Sequence, residues 1–455
     1  MTDKTNRLYV GVDVGGTKTL AALATAYGEI LARERRPTPR EGGPIDTVAA
    51  IVQLISDLLG KNHVAAGSLG AIGLAVPGIV GDGHEEVTFA PNLNIAGVNV
   101  VAPLKEKFGA PTVLGNDVNL GTLGEKWLGA ARDATSAVGI FVGTGIGGGI
   151  IQDGRLLTGH RGSAGEIGHI ILQMGGPRCG CGGLGCLEAL ASRTAIERDL
   201  RQAMRDGRAT VLKELAGARA KVIKSSVLAE ALKKKDKVVV EVMRRASEAL
   251  GQACVTVRHV LDPEVIILGG GVVEACGAFV LPIVQRIVAR DRLLSGISKG
   301  KVVASELGDD AVVLGAVALA QQMIGVDPFK LVLPAVRYPR LSRVGGGSVL
   351  VGGRTYREDI HIRANGSVKK RRKLLAKLDG QANIVSAAEA AKLCKGMPSN
   401  ILIIAGTSRP IKLAREAEEL LRKRNLKVQV LPASEAPEAY NAIKGRKAAL
   451  IHVCG

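Results

Sequence analysis

The stretch Arg7-Leu8-Tyr9-Val10-Gly11-Val12-Asp13-Val14-Gly15-Gly16-Thr17-Lys18 decides how the rest of the chain is read. It is an apolar, strand-forming run that carries one carboxylate, Asp13, and stops at two consecutive glycines. Such a run predicts a strand and a tight turn. Working outward, a second strand is expected over about Leu20–Thr25, a turn at Tyr27-Gly28, a third strand over Glu29–Arg35 and a helix over about Ile45–Leu59. Paired glycines let backbone N–H groups approach phosphate oxygens, and Thr17 adds a hydroxyl donor. Asp13 can hold Mg²⁺ through water, because that hard ion keeps much of its hydration shell. The plain alternative is an ordinary hairpin turn.

The same plan recurs downstream. A buried strand, Ala71–Val76, ends at Pro77-Gly78, and another, Thr112-Val113-Leu114, ends at Gly115-Asn116-Asp117. The apolar strand Ala137–Val142 runs into Gly143-Thr144-Gly145-Ile146-Gly147-Gly148-Gly149. A helical stretch is expected from about Leu187 to Leu261, then a strand, Val265–Leu268, stopping at Gly269-Gly270-Gly271. Three antiparallel strands followed by a helix is how an RNase H-like half begins, and a strand followed by a glycine turn occurs in both halves. Two related α/β lobes follow. Facing each other across a cleft, the first two glycine turns would clamp a triphosphate, and the third can pass under a purine ring; a tight hairpin and a helix-start turn are the structural alternatives. Asn116-Asp117-Val118-Asn119 sits at a strand end, where ligands of open α/β sheets collect. An Asp there can accept the proton of an attacking hydroxyl while an Asn positions the substrate. Ala90-Pro91-Asn92-Leu93 offers a further amide, although Asn and Asp at strand ends are also common caps.

The seven cysteines are unevenly placed: Cys179, Cys181 and Cys186 fall within eight residues. With His169 of Gly165-Glu166-Ile167-Gly168-His169 they make a set of three thiolates and one imidazole, the donor set of a closed, structural Zn²⁺ site. That usage fits one metal site in a reducing compartment rather than a disulfide framework. Glu166 and Glu188 bracket the loop as candidate acceptors for sugar hydroxyls. The N-terminus has no basic-then-apolar leader and no apolar run of about 18 residues was identified, so a cytoplasmic protein with no membrane span is expected. Aromatic residues make up 2% of the chain, which leaves little for base-stacking platforms. The net charge of +19 is concentrated after residue 330, where 24 Lys and Arg face 9 Asp and Glu; the first 330 residues hold 37 against 33. The asymmetry marks a domain boundary.

Taken in order, Asp13–Thr19, Ala90–Leu93, Asn116–Asn119, Gly143–Gly149, Gly165–His169, Cys179–Glu188 and Leu261–Gly271 resemble the ROK family of sugar kinases and sugar-responsive repressors. The resemblance covers about Leu8 to Ala320 and implies the actin/hexokinase-like fold, duplicated RNase H-like lobes closing on ATP·Mg²⁺ and a sugar. A small lobe of about 1–118 plus 311–325 and a large lobe of about 119–310 are expected. It implies Asp117 as general base on a sugar hydroxyl, typically the 6-OH, with Asn92, Asn116, Glu166, His169 and Glu188 at the sugar. His169, Cys179, Cys181 and Cys186 would ligate zinc and Asp13 magnesium. Asp13, Gly15, Gly16, Thr17, Lys18, Gly143, Thr144, Gly145 and Gly147 would hold phosphates, and Gly269, Gly270 and Gly271 the adenosine. A dimer or tetramer is expected. A polyphosphate donor is also known in the family. The competing reading is a sugar-binding regulator without catalysis; family repressors carry a helix-turn-helix first, for which the start of this sequence leaves no room.

A linker is expected over 326–347, punctuated by Pro334 and Pro339, then a second α/β domain over 348–455. Gly353-Arg354-Thr355-Tyr356, Asp359-Ile360, Ile401–Ser408, Tyr440-Asn441 and Arg446…His452-Val453-Cys454 resemble the Mth938-like domain, with Ser408 where a glycine is usual. That likeness implies a fold and no chemistry. Ser434 is the expected N-cap of the helix carrying Tyr440. The basic run Lys369–Lys373 reads as a solvated turn, with polyanion contact as the alternative, and nucleic acid is not an expected partner. His452 and Cys454 read as packing, since no acidic partner is apparent.

Overall fold

A computed structural model describes every residue except 1–3, 40, 82, 91, 92, 94, 218–221, 295, 298, 299, 334, 372–383, 406–410, 424, 425, 454 and 455. Asn92, the turn 406–408, Arg372, Lys373 and Cys454 therefore lie outside the described residues. The chain forms two compact units, Met1–Leu331 and Val332–Gly455.

In the first unit, β1 (Leu8–Val14), β2 (Lys18–Thr25), β3 (Ile30–Pro37), β4 (Leu69–Val76) and β7 (Thr112–Asn116) form one sheet in the order β3-β2-β1-β4-β7. A two-stranded ribbon, β5 (Ile79–Val80) and β6 (Val87–Phe89), lies between β4 and β7 in sequence. A second sheet has the order β10-β9-β8-β11-β12, built from β8 (Ala137–Val142), β9 (Ile146–Gln152), β10 (Arg155–Leu157), β11 (Val265–Gly269) and β12 (Val302–Ala304). Each sheet consists of two antiparallel pairings followed by two parallel ones, so the topology is duplicated. Burial explains which strand goes where. All eight residues of β4 are buried, as a central parallel strand requires, whereas β3 alternates strictly and faces water on one side.

The helices of this unit are α1 (Pro44–Lys61), α2 (Val101–Phe108), α3 (Asp117–Leu128), α4 (Leu187–Ala191), α5 (Arg193–Arg205), α6 (Leu212–Ala216), α7 (Ser225–Lys233), α8 (Lys237–Leu261), α9 (Gly271–Ala289) and α10 (Ala311–Met323). α10 returns to the first sheet, crossing α3 at backbone contact: a Cβ on Gly315 would sit 1.7 Å from the Leu120 carbonyl oxygen, and one on Gly124 2.1 Å from that of Ala311. Only glycine permits that approach. Across the crossing, the buried Glu125 carboxylate accepts the Ser305 hydroxyl at 2.6 Å and the Leu307 N–H at 2.9 Å. Among the described residues α9 is the one helix long and apolar enough to cross a membrane, which the sequence reading passed over. Its Val273, Cys276, Val280, Val284 and Val288 are instead buried in the core beneath the second sheet.

The expected linker divides between the units. Val326 and Pro328 are buried in the first unit, where Trp127 Nε1 donates to the Pro328 carbonyl at 3.0 Å. Leu341–Gly345 is already β13 of the second, paired with β14 (Ser348–Val351) and then β15 (Arg354–Tyr356). The main sheet of that unit runs β17-β16-β22-β19-β21, from β16 (Ile360–Ile362), β17 (Val368–Lys370), β19 (Asn400–Ala405), β21 (Lys427–Pro432) and β22 (Lys447–Ile451); β18 (Ile384–Val385) pairs with β20 (Lys412–Leu413). Its helices are α11 (Ala387–Leu393), α12 (Arg415–Lys423) and α13 (Ala436–Ala442). The N-cap of α13 is Glu435, not Ser434, and makes no side-chain cap bond.

A buried ionic network corrects two expectations. Arg371, within the basic run, is fully buried rather than solvated; it donates to Glu389 at 2.8 and 2.9 Å and to Asp359 at 3.1 Å. His361 meets Glu389 at 2.9 Å, and His452 meets Asp359 at 2.6 Å, so His452 does have an acidic partner, one that lies far off in sequence. Burial disfavours both carboxylates, but the bonds from His452, Val453 N–H and Arg371 outweigh it at Asp359, as those from His361 and Arg371 do at Glu389, and both pKa values lie below normal.

Candidate active site

The turn between β1 and β2 closes through Gly15 N–H to the Lys18 carbonyl at 3.0 Å. Thr38, buried at the end of β3, donates to the Gly15 carbonyl at 2.6 Å and meets Thr19 Oγ1 at 2.9 Å, which fixes the turn from beneath. Lys18 points to Asp309 at 3.8 Å across open surface, beside the Arg35–Asp309 pair at 3.0 Å. Asp13 ends β1 and its carboxyl is pushed up to about 7, first by burial and next by the charge of Asp117.

Asn116 ends β7, and its side chain is the N-cap of α3. Its Oδ1 accepts the N–H groups of Val118 and Asn119 at 2.9 and 3.0 Å, and its Nδ2 donates to the Gly78 carbonyl at 2.9 Å. The cap engages Oδ1 and the Gly78 bond one N–H of the amide expected at the sugar. Asp117 is the first residue of the helix and shares the Val118 N–H at 2.9 Å. Burial pushes its carboxyl up to about 6; the Val118 N–H pulls against this, and the Glu166 charge adds to the rise. Two residues on, Asn119 Oδ1 is buried with no partner among the described residues, an acceptor that a ligand donor would satisfy.

The second glycine turn lies against this helix. A Cβ on Gly147 would be 2.5 Å from Val118 Cγ2, one on Gly149 2.3 Å from Thr122 Oγ1, and one on Gly148 2.4 Å from the Gly165 carbonyl oxygen. Gly147 to Gly149 are therefore strand residues of β9 demanded by packing, and the turn proper is Gly143-Thr144-Gly145, closed by Gly143 N–H to the Gly145 carbonyl at 2.9 Å. Residues not singled out in the sequence hold it. Arg193 Nη2 donates to Thr144 Oγ1 at 2.8 Å, its N–H reaches the Gly143 carbonyl at 3.0 Å, and the Thr194 hydroxyl donates to the Thr144 carbonyl at 2.7 Å. Their one sequence signal is Ser192, the N-cap of α5. The third turn adjoins: Gly270, at φ +82°, would bring a Cβ within 2.7 Å of Val142 backbone atoms, and Gly269 packs on the Phe141 ring; Gly271 opens α9.

The loop after β10 brings His169, Cys179, Cys181 and Cys186 together, with all four candidate ligand atoms within 4.8 Å of one another. Cys179 Sγ lies 3.7 Å from His169 Nδ1, and Cys181 Sγ 3.8 Å from Cys186 Sγ. Those are the edges of a tetrahedron whose centre lies about 2.3 Å from each sulfur, so the set fits Zn²⁺. The loop is tight; a Cβ on Gly185 would overlap the Gln173 carbonyl oxygen at 1.6 Å. His169 Nε2 faces Glu166 at 3.9 Å, the carboxylate partner a metal-bound histidine usually has. Glu188, expected at the sugar, instead accepts the Ile146 N–H at 3.0 Å through Oε2, while its Oε1 lies 3.6 Å from Cys179 Sγ.

Asp13 near the end of β1, Asp117 at the start of α3 and Glu166 beside the cysteine loop thus form a series of like charges, Asp13 feeling Asp117 and Asp117 feeling Glu166. The chain belongs to the ROK family, whose model matches residues 9–323. It is 34% identical over 318 residues to a glucokinase of Thermotoga maritima, covering 70% of this chain and 98% of that protein. A crystal structure of a ROK family glucokinase from Streptomyces griseus in complex with glucose and AMPPNP superposes with a TM-score of 0.62 at 32% identity, over 69% of this chain and 99% of that one. A ROK family transcriptional regulator, a homologue of the E. coli MLC protein, superposes at 0.63 with 26% identity, over 70% and 79%.

Proposed function

We propose that the chain phosphorylates a hexose with ATP, Asp117 taking the proton of the attacking hydroxyl, the 6-OH. The chain is a sugar kinase, akin to the named glucokinases of its family. What carries the finer reading is the grouping of Asp13, Asp117 and Glu166 beside the glycine turns. A carboxyl near pKa 6 is ionised at neutral pH yet basic enough to accept a proton in the transition state. Asp13 is where Mg²⁺ would bind, and a divalent cation there would reverse the mutual repulsion with Asp117. His169, Cys179, Cys181 and Cys186 would hold Zn²⁺ as a structural ion. Gly15–Thr17 and Gly143–Gly145 would position the phosphates, Gly269–Gly271 the adenosine, and Glu166, His169 and the Asn116–Asn119 corner the sugar. Phosphoryl transfer needs little covalent help, so positioning and charge neutralisation carry the catalysis.

ADP release measured against a panel of hexoses tests this, with 6-deoxyglucose as the decisive member. Glucose should turn over and the 6-deoxy sugar should not; turnover of both would remove the 6-OH assignment, and turnover of neither, with sugar binding retained, would favour a regulator. Hexose phosphate formation, measured with ATP and then with polyphosphate in its place, settles the donor. Sedimentation velocity would test a dimer or tetramer. For residues 348–455 the Mth938-like likeness is kept as a proposal of fold, supported by Asn441, which clamps both backbone groups of Leu341 at 3.1 and 2.7 Å.

A further inference from the structure

The second unit contains a cavity of about 1130 Å³ beside its first hairpins, and the protein leaves its charge unbalanced. Arg343, Arg354, Arg357 and Lys370 line it, with Glu358 as the one carboxylate. Glu358 is taken by an ion pair with Lys370, so three arginines remain. None of the three makes an ion pair among the described residues, and each is exposed. Arg337, Arg340 and Arg363 of this unit likewise make no ion pair among the described residues, so what sets Arg343, Arg354 and Arg357 apart is that all three line one hollow.

The fold converges these arginines deliberately. Arg343 is on β13, Arg354 begins β15 and Arg357 follows it, while β13 and β14 are joined by a two-residue turn, Gly346-Gly347, at φ +60° and +67°. That turn type matches strand twist and needs positive φ at both positions, which explains the glycines. Residues of these strands, Thr355 and Tyr356 among them, line one hollow with the three arginines. Three like charges in one concavity repel until an anion enters, and planar guanidinium groups suit phosphate oxygens bidentately. Three positive charges call for more than the charge of about −1.5 to −2 that one phosphate carries at neutral pH; a linked chain of phosphates supplies it. A hollow with one aromatic wall suits a small ligand rather than a nucleic-acid strand, which would need a basic stripe with several stacking rings.

We propose that this cavity binds a small anion carrying two or more linked phosphoryl groups. The source is either a nucleoside polyphosphate or an inorganic oligophosphate. The site lies wholly in the second unit and does not rest on the kinase reading. Calorimetric titration of the full chain with inorganic tripolyphosphate, with ATP and with adenosine tests it, comparing the native chain with Arg354→Glu/Arg357→Glu. Tripolyphosphate should bind, binding should weaken as salt rises, and the double variant should lose affinity by at least about tenfold, with hexose phosphorylation unchanged. Adenosine should show no signal that the variant abolishes. Counting only the binding event that the variant weakens, and not the ATP held by the first unit, a larger loss for ATP than for tripolyphosphate makes the ligand a nucleotide; equal losses point to an inorganic oligophosphate. Absence of tripolyphosphate binding, or equal affinity in the variant, overturns the proposal. So does tenfold tighter binding of a DNA oligonucleotide. Should the double variant fail to fold, Arg343→Gln alone, at an exposed strand position, must still weaken binding severalfold.

Discussion

Asp117→Asn should move activity and stability in opposite directions. The carboxyl is raised from 3.8 to about 6, chiefly by burial, so ionising it in the folded state costs roughly 3 kcal/mol at neutral pH, an upper figure since the side chain keeps some solvent contact. Asparagine keeps the acceptor that meets the Val118 N–H, leaving the start of α3 intact, and removes the charge. The sign follows directly. A carboxyl raised on folding is protonated more readily in the native state, so the native chain loses stability as pH rises from about 4 to about 6. The variant should therefore melt a few degrees higher at pH 7.5, and the gain should vanish near pH 4. Turnover should fall by about 10²–10⁴, the usual worth of a general base. In the native enzyme kcat/KM should climb about tenfold per pH unit below 6 and then level off, a limb the variant should lack. Scanning fluorimetry and an ADP-coupled assay on one preparation read both. A variant that is inactive and also less stable would show that Asp117 is a structural residue; near-native turnover would remove it from the chemistry.

Three further outcomes follow from the packing. Cys181→Ser, or chelation of the native protein, should lower bound zinc and melting temperature and weaken sugar binding; stoichiometric zinc in the variant would break the ligand assignment. Gly147→Ala, whose Cβ would lie 2.5 Å from Val118 Cγ2, should cost about 1–3 kcal/mol and raise KM, with Val118→Ala restoring much of both; no rescue would mean the contact is not what requires glycine. Arg371→Met should strand the buried Asp359 and Glu389 and destabilise the second unit by about 3–5 kcal/mol. Because both carboxyls are depressed, that unit's stability should hold above about pH 4 and fall away below it, followed by tryptophan-independent circular dichroism.

Most of the strand plan could be read from apolar runs and glycine punctuation, because a buried parallel strand such as Leu69–Val76 needs little else. The glycines were ambiguous for a physical reason: Gly147–Gly149 and Gly315 are required by close contacts with the Val118 and Thr122 side chains and the Gly165 and Leu120 carbonyls that no local pattern reveals. Pairings distant in sequence were invisible likewise. Arg371 looked solvated because its partners, Asp359 and Glu389, are 12 and 18 positions away. The segment from Val326 read as linker because the Trp127 contact that seats Pro328 spans 201 positions. In the candidate site the residue types and their grouping were legible, but the division of labour was not. Asn116 and Glu188, expected at the sugar, also have structural work, Asn116 Oδ1 capping α3 and Glu188 Oε2 accepting the Ile146 N–H.

That last contact changes what the metal loop is for. Cys186 is the N-cap of α4, Glu188 stands in its first turn, and Ser192 caps α5, whose first two residues grip Gly143 and Thr144. On the other side His169 faces Glu166, whose charge reaches Asp117. A single ion bound by His169 and the three cysteines would therefore fix two things at once: the carboxylate beside the base, and, through Glu188 and Arg193, the turn proposed for the nucleotide. The two arms diverge from one loop of about twenty residues between Glu166 and Glu188, too short to relax independently. A structural metal placed there would set the relative position of the proposed acceptor and donor subsites without touching either reactant, and Gly182 and Gly185, at φ +92° and +73°, give the tight loop the backbone that such a site would need.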